Sequence, residues 1–158
     1  MGLFLKIFAG AILALMTIVL AGVYGITFYV WPTGFNDEKL AVTPEVMQRL
    51  RTLQLEHKFA PDVSTFYPGA ADEAQRSAAQ AVVDSAIQSL IDELPLRPQR
   101  STVLRALKAS LAAFDNSESE ERDQILMYLT KVMHICGVDS SSELFNVWRY
   151  GFPYGWFF

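Results

Sequence analysis

The sequence predicts an all-α protein: a single N-terminal transmembrane helix followed by a bundle of four or five helices. Three observations carry that prediction. Residues Ile7 to Trp31 hold no charged side chain, and all but one of the Lys and Arg residues and every acid lie beyond them. After Thr43, apolar residues recur at helical spacing between N-cap signals and terminating Pro or Gly. No stretch alternates apolar and polar residues for long enough to build a sheet.

The boundaries read as an anchor over 1–31, a linker over 32–42, the bundle over 43–152 and an aromatic tail over 153–158. With 158 residues there is room for one domain, and 51% hydrophobic against 19% charged residues is too apolar for a disordered chain. The formal net charge of −4, without a dense basic patch, argues against non-specific nucleic-acid binding. Cys136 is the single cysteine, which excludes an internal disulfide framework and a multi-cysteine metal site.

As a helix, Ile7 to Trp31 rises about 37 Å, enough to cross roughly 30 Å of hydrocarbon with some tilt. Tyr24, Tyr29 and Trp31 gather at its C-terminal end, where amphipathic rings suit an interface, and Pro32-Thr33-Gly34 stops the helix. The rival is a cleaved signal peptide with Met1 to Lys6 as its basic start. Apolar character continues past what a cleaved signal needs, so an uncleaved anchor is preferred. Leu20-Ala21-Gly22 would open a lipobox, but Val23 stands where a lipidated cysteine must be. Lys6 before the span favours an N-terminus inside and a body outside. Gly10, Ala14, Thr17 and Ala21 form a stripe of small residues along this helix, which would let another membrane helix approach closely.

In the body, Thr43-Pro44-Glu45 caps a helix to about Lys58, with Val46, Leu50 and Leu53 on one face. Phe59 to Gly69 breaks the pattern with two prolines, and Pro68-Gly69 reads as a turn. Asp72 begins a long helix to Leu94 whose expected buried side is Ala74, Ala78, Ala81, Ile87, Leu90 and Leu94. Pro95 and Pro98 end it. The next helix, Gln99 to Phe114, turns Val103, Leu104, Leu107, Leu111 and Phe114 inward. Ser117-Glu118-Ser119-Glu120 is a capping box for a helix carrying Ile125, Leu129, Val132, Met133 and Cys136, with Gly137 just past its end. A short last helix from about Ser141 carries Leu144, Phe145 and Trp148 and stops at Gly151.

Four motifs stand out in order: Phe66-Tyr67-Pro68-Gly69, Arg122-Asp123, Gly137-Val138-Asp139-Ser140-Ser141 and Trp148-Arg149-Tyr150-Gly151-Phe152. Their order resembles a bacterial all-helical family known only as a domain of unknown function, over about residues 44 to 152. The resemblance implies a compact helical domain and a bacterial source, and brings no catalytic residues with it.

The residues offer little catalytic chemistry. His134 and Cys136 lie about 200° apart around one helix and cannot share a ligand, so an ordinary hydrogen-bonded histidine and a buried thiol are expected, and no metal. The acidic run from Asp115 lacks the Gly and Glu that a calcium loop needs at its sixth and twelfth positions, having Glu120 and Leu126 instead. It is better read as acids favoured at a helix start. No phosphate loop, nucleophile elbow or dinucleotide fingerprint occurs, and no cofactor is expected.

Two surfaces remain as candidate contacts. Arg97, Arg100, Arg105 and Lys108 share one side of the fourth helix, a basic face for an acidic partner or anionic headgroups. Tyr154, Trp156, Phe157 and Phe158 follow the last helix, where a small bundle has little room to bury them. The expectation is therefore a non-enzymatic, protein-binding helical module on a single-pass anchor in a bacterial inner membrane, N-terminus cytoplasmic and body periplasmic. Immunity-type neutralisation of a toxin is one concrete form. The alternative is a small accessory subunit docked through its anchor in a larger membrane complex.

Overall fold

A computed structural model describes residues 2–30, 37–114 and 119–151. Its described residues form helices α1 Gly2–Val30, α2 Pro44–Leu55, α3 Glu73–Glu93, α4 Arg100–Ala113, α5 Ser119–Ile135 and α6 Leu144–Tyr150. They contain no strand, only two isolated bridges, Lys39 with Gln99 and Asp62 with Tyr67. The protein is all-helical, as the periodicity predicts.

Within α1, Lys6–Gly25 has the length and composition of a membrane span or a signal sequence, and none of it is buried against the rest of the molecule. The other helices bury one stripe each. Leu50 and Leu53 of α2 meet Val83, Ile87 and Leu90 of α3, Val103, Leu107 and Leu111 of α4, and Ile125, Leu129 and Val132 of α5 in one cluster. The Thr43 hydroxyl accepts from the Val46 amide at 3.3 Å, and the Asp72 carboxylate from the Gln75 amide at 2.8 Å, so both expected caps form. The capping box expected at Ser117 and Glu118 lies outside the described residues.

Helix α4 is capped from a distance. Gln99 supplies no side-chain cap. Instead the Asp37 carboxylate accepts from the Ser101 amide at 2.8 Å and its hydroxyl at 2.9 Å. Next to it, Leu40 N donates to Pro98 O at 2.8 Å and Arg100 N to Glu38 O at 2.9 Å. Residues 37–40, which the sequence places in a linker, are thus fastened to the α3–α4 turn.

Three expectations need correction. First, α2 stops at Leu55, short of Lys58, because Glu56 turns to extended backbone and sends Lys58 inward. Second, the buried side of α3 is Ala79, Val83, Ala86, Ile87 and Leu90, whereas Ala74, Ala78 and Ala81 are exposed. Alanine carries too little apolar area to set the phase of a helix; Val83, Ile87 and Leu90 set it. Ala81 instead flanks a groove of about 410 Å³ between α3 and α4 with Ser85, Ala106 and Ala109. Third, α6 starts at Leu144, because Ser142 and Glu143 adopt left-handed backbone with φ 49° and 67°. Of the two residues weighed for a metal, His134 is exposed beside a groove between α2 and α5, and Cys136 is buried as expected.

Candidate functional site

The segment between α2 and α3 combines buried groups, left-handed backbone and an exposed loop. It begins with Lys58, fully buried despite its charge. The three ammonium protons are all used: Nζ donates to Gln54 O and Glu56 O at 3.1 Å each and to Asp84 Oδ1 at 2.7 Å. A buried cation with a carboxylate and two carbonyls is a satisfied one. Phe59 follows in left-handed backbone, φ 58°, with its ring against Phe114 and Tyr128 at centroid distances of 6.4 and 5.2 Å. The strain is held by burial.

A tight loop then projects outward. Asp62 N donates to Tyr67 O at 2.9 Å and Tyr67 N to Asp62 O at 3.0 Å, which closes the loop at its base. The Asp62 carboxylate accepts from the Ser64 hydroxyl at 2.7 Å and the Ser64 amide at 2.9 Å. Those bonds, the hydroxyl first, hold its carboxyl below the usual value of 3.8. At the tip Val63 is 88% and Phe66 91% exposed, and Phe66 has φ 58°. A large ring in solvent on left-handed backbone is costly on both counts.

Tyr67 and Gly69 hold that loop, and the remaining motif residues tie α6 to α4 and α5. Tyr67 is buried, and its hydroxyl donates to Glu121 Oε1 at 2.7 Å. Glu121 is itself 1% exposed, and its Oε2 has no hydrogen-bond partner among the described residues. Gly69 has φ +92°, and a Cβ there would lie 2.9 Å from the Pro61 ring, so only glycine fits. Trp148 braces the far side: its indole donates to Leu111 O at 3.0 Å, and its ring meets Phe114 edge-on at 6.1 Å. Arg122 donates to Trp148 O at 2.6 Å while lying 4.6 Å from the ring centroid. Arg149 bridges Asp123 at 2.7 Å, and Gly151 closes α6 with φ +82°. Tyr150 is 59% exposed.

The other sequence candidates are placed separately. Gly10, Ala14, Thr17 and Ala21 are exposed on α1, with the Thr17 hydroxyl donating to Leu13 O at 2.9 Å. Of the basic face, Arg97, Arg105 and Lys108 are exposed, and Arg105 contacts the Thr102 hydroxyl at 3.3 Å. Arg100 is half-buried and fastens the α5–α6 loop by donating to Ser140 O and to the Ser142 hydroxyl. Phe152, Tyr154, Trp156, Phe157 and Phe158 lie outside the described residues. Sequence reasoning singled out Phe66 and Tyr67 but missed Glu121, Lys58 and Asp37. Glu121 sits in an acidic run with no mark of burial, and nothing local in the sequence pairs Asp37 with Ser101.

The chain is similar to known proteins in two comparisons. A family profile described as a domain of unknown function, DUF4844, matches residues 41–153. The crystal structure of a DUF3571 family protein from Acinetobacter baumannii AYE resembles it with a TM-score of 0.62 and 25% identity, over 67% of this chain and 89% of that one. No curated protein matches the chain.

Proposed function

The chain belongs to the domain-of-unknown-function family DUF4844, and from that premise we propose that it is a membrane-anchored, non-enzymatic protein-binding module whose contact element is the Asp62–Tyr67 loop. One observation carries the reading. Phe66 is held 91% exposed at φ 58°, on a loop closed at its base by the Asp62–Tyr67 backbone pair and fastened by the buried Tyr67–Glu121 bond. Strain and exposure with no return to the fold point to a return elsewhere, and a displayed aromatic ring is a common binding anchor. The span-like α1 would hold the module at a bacterial inner membrane, body periplasmic, where neutralising a toxin is one concrete task.

Site-specific photo-crosslinking tests this in cells producing the full chain. A crosslinker at position 66 should give one discrete protein adduct that a crosslinker at Lys131, on the exposed face of α5, does not give. Equal adducts at both positions, or none at 66, would overturn the reading. A second reading, an accessory subunit docked through its anchor, is favoured by the exposed stripe Gly10, Ala14, Thr17 and Ala21. In that case the discrete adduct forms from position 14 and not from position 66.

A further inference from the structure

We propose that the α3–α4 turn, with Leu96 at its tip, is the face that lies against the bilayer headgroups, and that the Phe66 loop stands at the opposite end of the bundle. This inference rests on the reading of α1 as a membrane anchor. Its argument is a comparison of two lengths.

The first is the length of the tether. Helix α1 ends at Val30, and the chain is fastened again at Asp37, whose carboxylate holds Ser101. Seven residue steps reach at most about 25 Å when fully extended. The second length is that of the bundle. Helix α3 has 21 residues and so runs about 30 Å. Its C-terminal end is where Leu40 bonds Pro98 and Glu38 bonds Arg100. At its N-terminal end, Arg76 Nη1 donates to Lys58 O at 3.2 Å and Ala70 N to Phe59 O at 3.2 Å, which places the Phe66 loop there. Counted from Gly25, where the span-like stretch ends, five helical residues add about 8 Å, so the full reach only matches the length of the bundle and turning the body over would need the tether drawn taut. The clamped end faces the membrane, and the Phe66 loop faces away.

The surface of the clamped end fits a headgroup layer. Leu96 is 80% exposed, between Pro95 and Arg97. Lys39 and Arg97 are accompanied there by Glu38, Asp92 and Glu93, all exposed, so the end has no positive excess. Contact therefore depends on the tether and on Leu96, and does not require anionic lipid.

Fluorescence quenching of the full-length chain in phosphatidylcholine vesicles tests the orientation. An environment-sensitive bimane is attached at Leu96→Cys or at Phe66→Cys, with nitroxide-labelled lipid headgroups as quencher. Cys136 does not compete, because burial pushes its thiol up to about 12. The label at 96 should lose most of its fluorescence and the label at 66 almost none, with no change when anionic lipid is added. A chain that floats with the vesicles but is quenched equally at both sites, or more at 66, overturns the orientation alone. A chain that fails to float overturns the anchor and the orientation with it.

Discussion

The Tyr67 hydroxyl donates to Glu121 Oε1 at 2.7 Å, joining the α2–α3 loop to the first turn of α5 across 54 positions of sequence. Both side chains are buried, and the second carboxylate oxygen has no partner among the described residues. Removing the tyrosine hydroxyl takes away that carboxyl's hydrogen bond among the described residues. Tyr67→Phe should therefore cost about 1 to 3 kcal/mol. In a Glu121→Leu background the same change should cost far less, because no polar group is then stranded. Chemical denaturation of the four chains of that cycle, each as residues 37–158, reads the coupling.

Asp37 should matter to the body although it precedes every helix of the bundle. Its carboxylate provides the only side-chain cap of α4 among the described residues, at 2.8 Å from the Ser101 amide. A chain starting at Asp37 should be more stable than one starting at Glu38 by about 1 kcal/mol. Asp37→Ala should reproduce the difference. Identical melting curves would detach this segment from the fold.

Two glycines with positive φ should respond differently to alanine. Among the described residues nothing beyond the chain neighbours lies within 4 Å of the Cβ that Gly151→Ala adds, so this change meets the backbone penalty and should cost about 1 kcal/mol. Gly69→Ala adds a collision with the Pro61 ring at 2.9 Å and should cost clearly more. Thermal melts of the two variants rank them directly.

Burial pushes the Cys136 thiol from 9.0 up to about 12. In the unfolded chain the thiol ionises near its ordinary value, while in the folded chain it keeps its proton. Stability is therefore unaffected at neutral pH and falls as pH rises from about 9 to about 12, by at most about 1.4 kcal/mol per pH unit. Cys136→Val should show a shallower alkaline decline than the parent when unfolding is followed by circular dichroism. Parallel curves would remove the thiol from the linkage.

Much of the helical framework is legible in the sequence because strong apolar residues at helical spacing leave one solution for each helix. Leu104, Leu107 and Leu111 of α4 and Ile125, Leu129 and Val132 of α5 are buried where their spacing puts them. Alanine misled, as Ala74, Ala78 and Ala81 did, because its small apolar area fits either face of a helix. The candidate site was half legible. Phe66, Tyr67 and Gly69 are marked by their Pro-Gly context, yet which ring is buried and which displayed depends on backbone φ at Phe59 and Phe66. The neighbours of those residues, Lys58 and Tyr67, are held by Asp84 on α3 and Glu121 on α5, partners distant in sequence. Long-range polar pairs such as Asp37 with Ser101 leave no local pattern at all.

The central claim is that Phe66 is displayed for contact and contributes nothing to the fold. The stability of Phe66→Gly measures this most directly, because glycine accepts φ 58° without strain and removes the exposed ring. Denaturant unfolding of residues 37–158 should give an unfolding free energy unchanged within about 1 kcal/mol, since relief of strain offsets the added freedom of the unfolded chain. A loss of about 3 kcal/mol, the size expected for a buried phenylalanine, would show that the ring belongs to the core and would contradict the account.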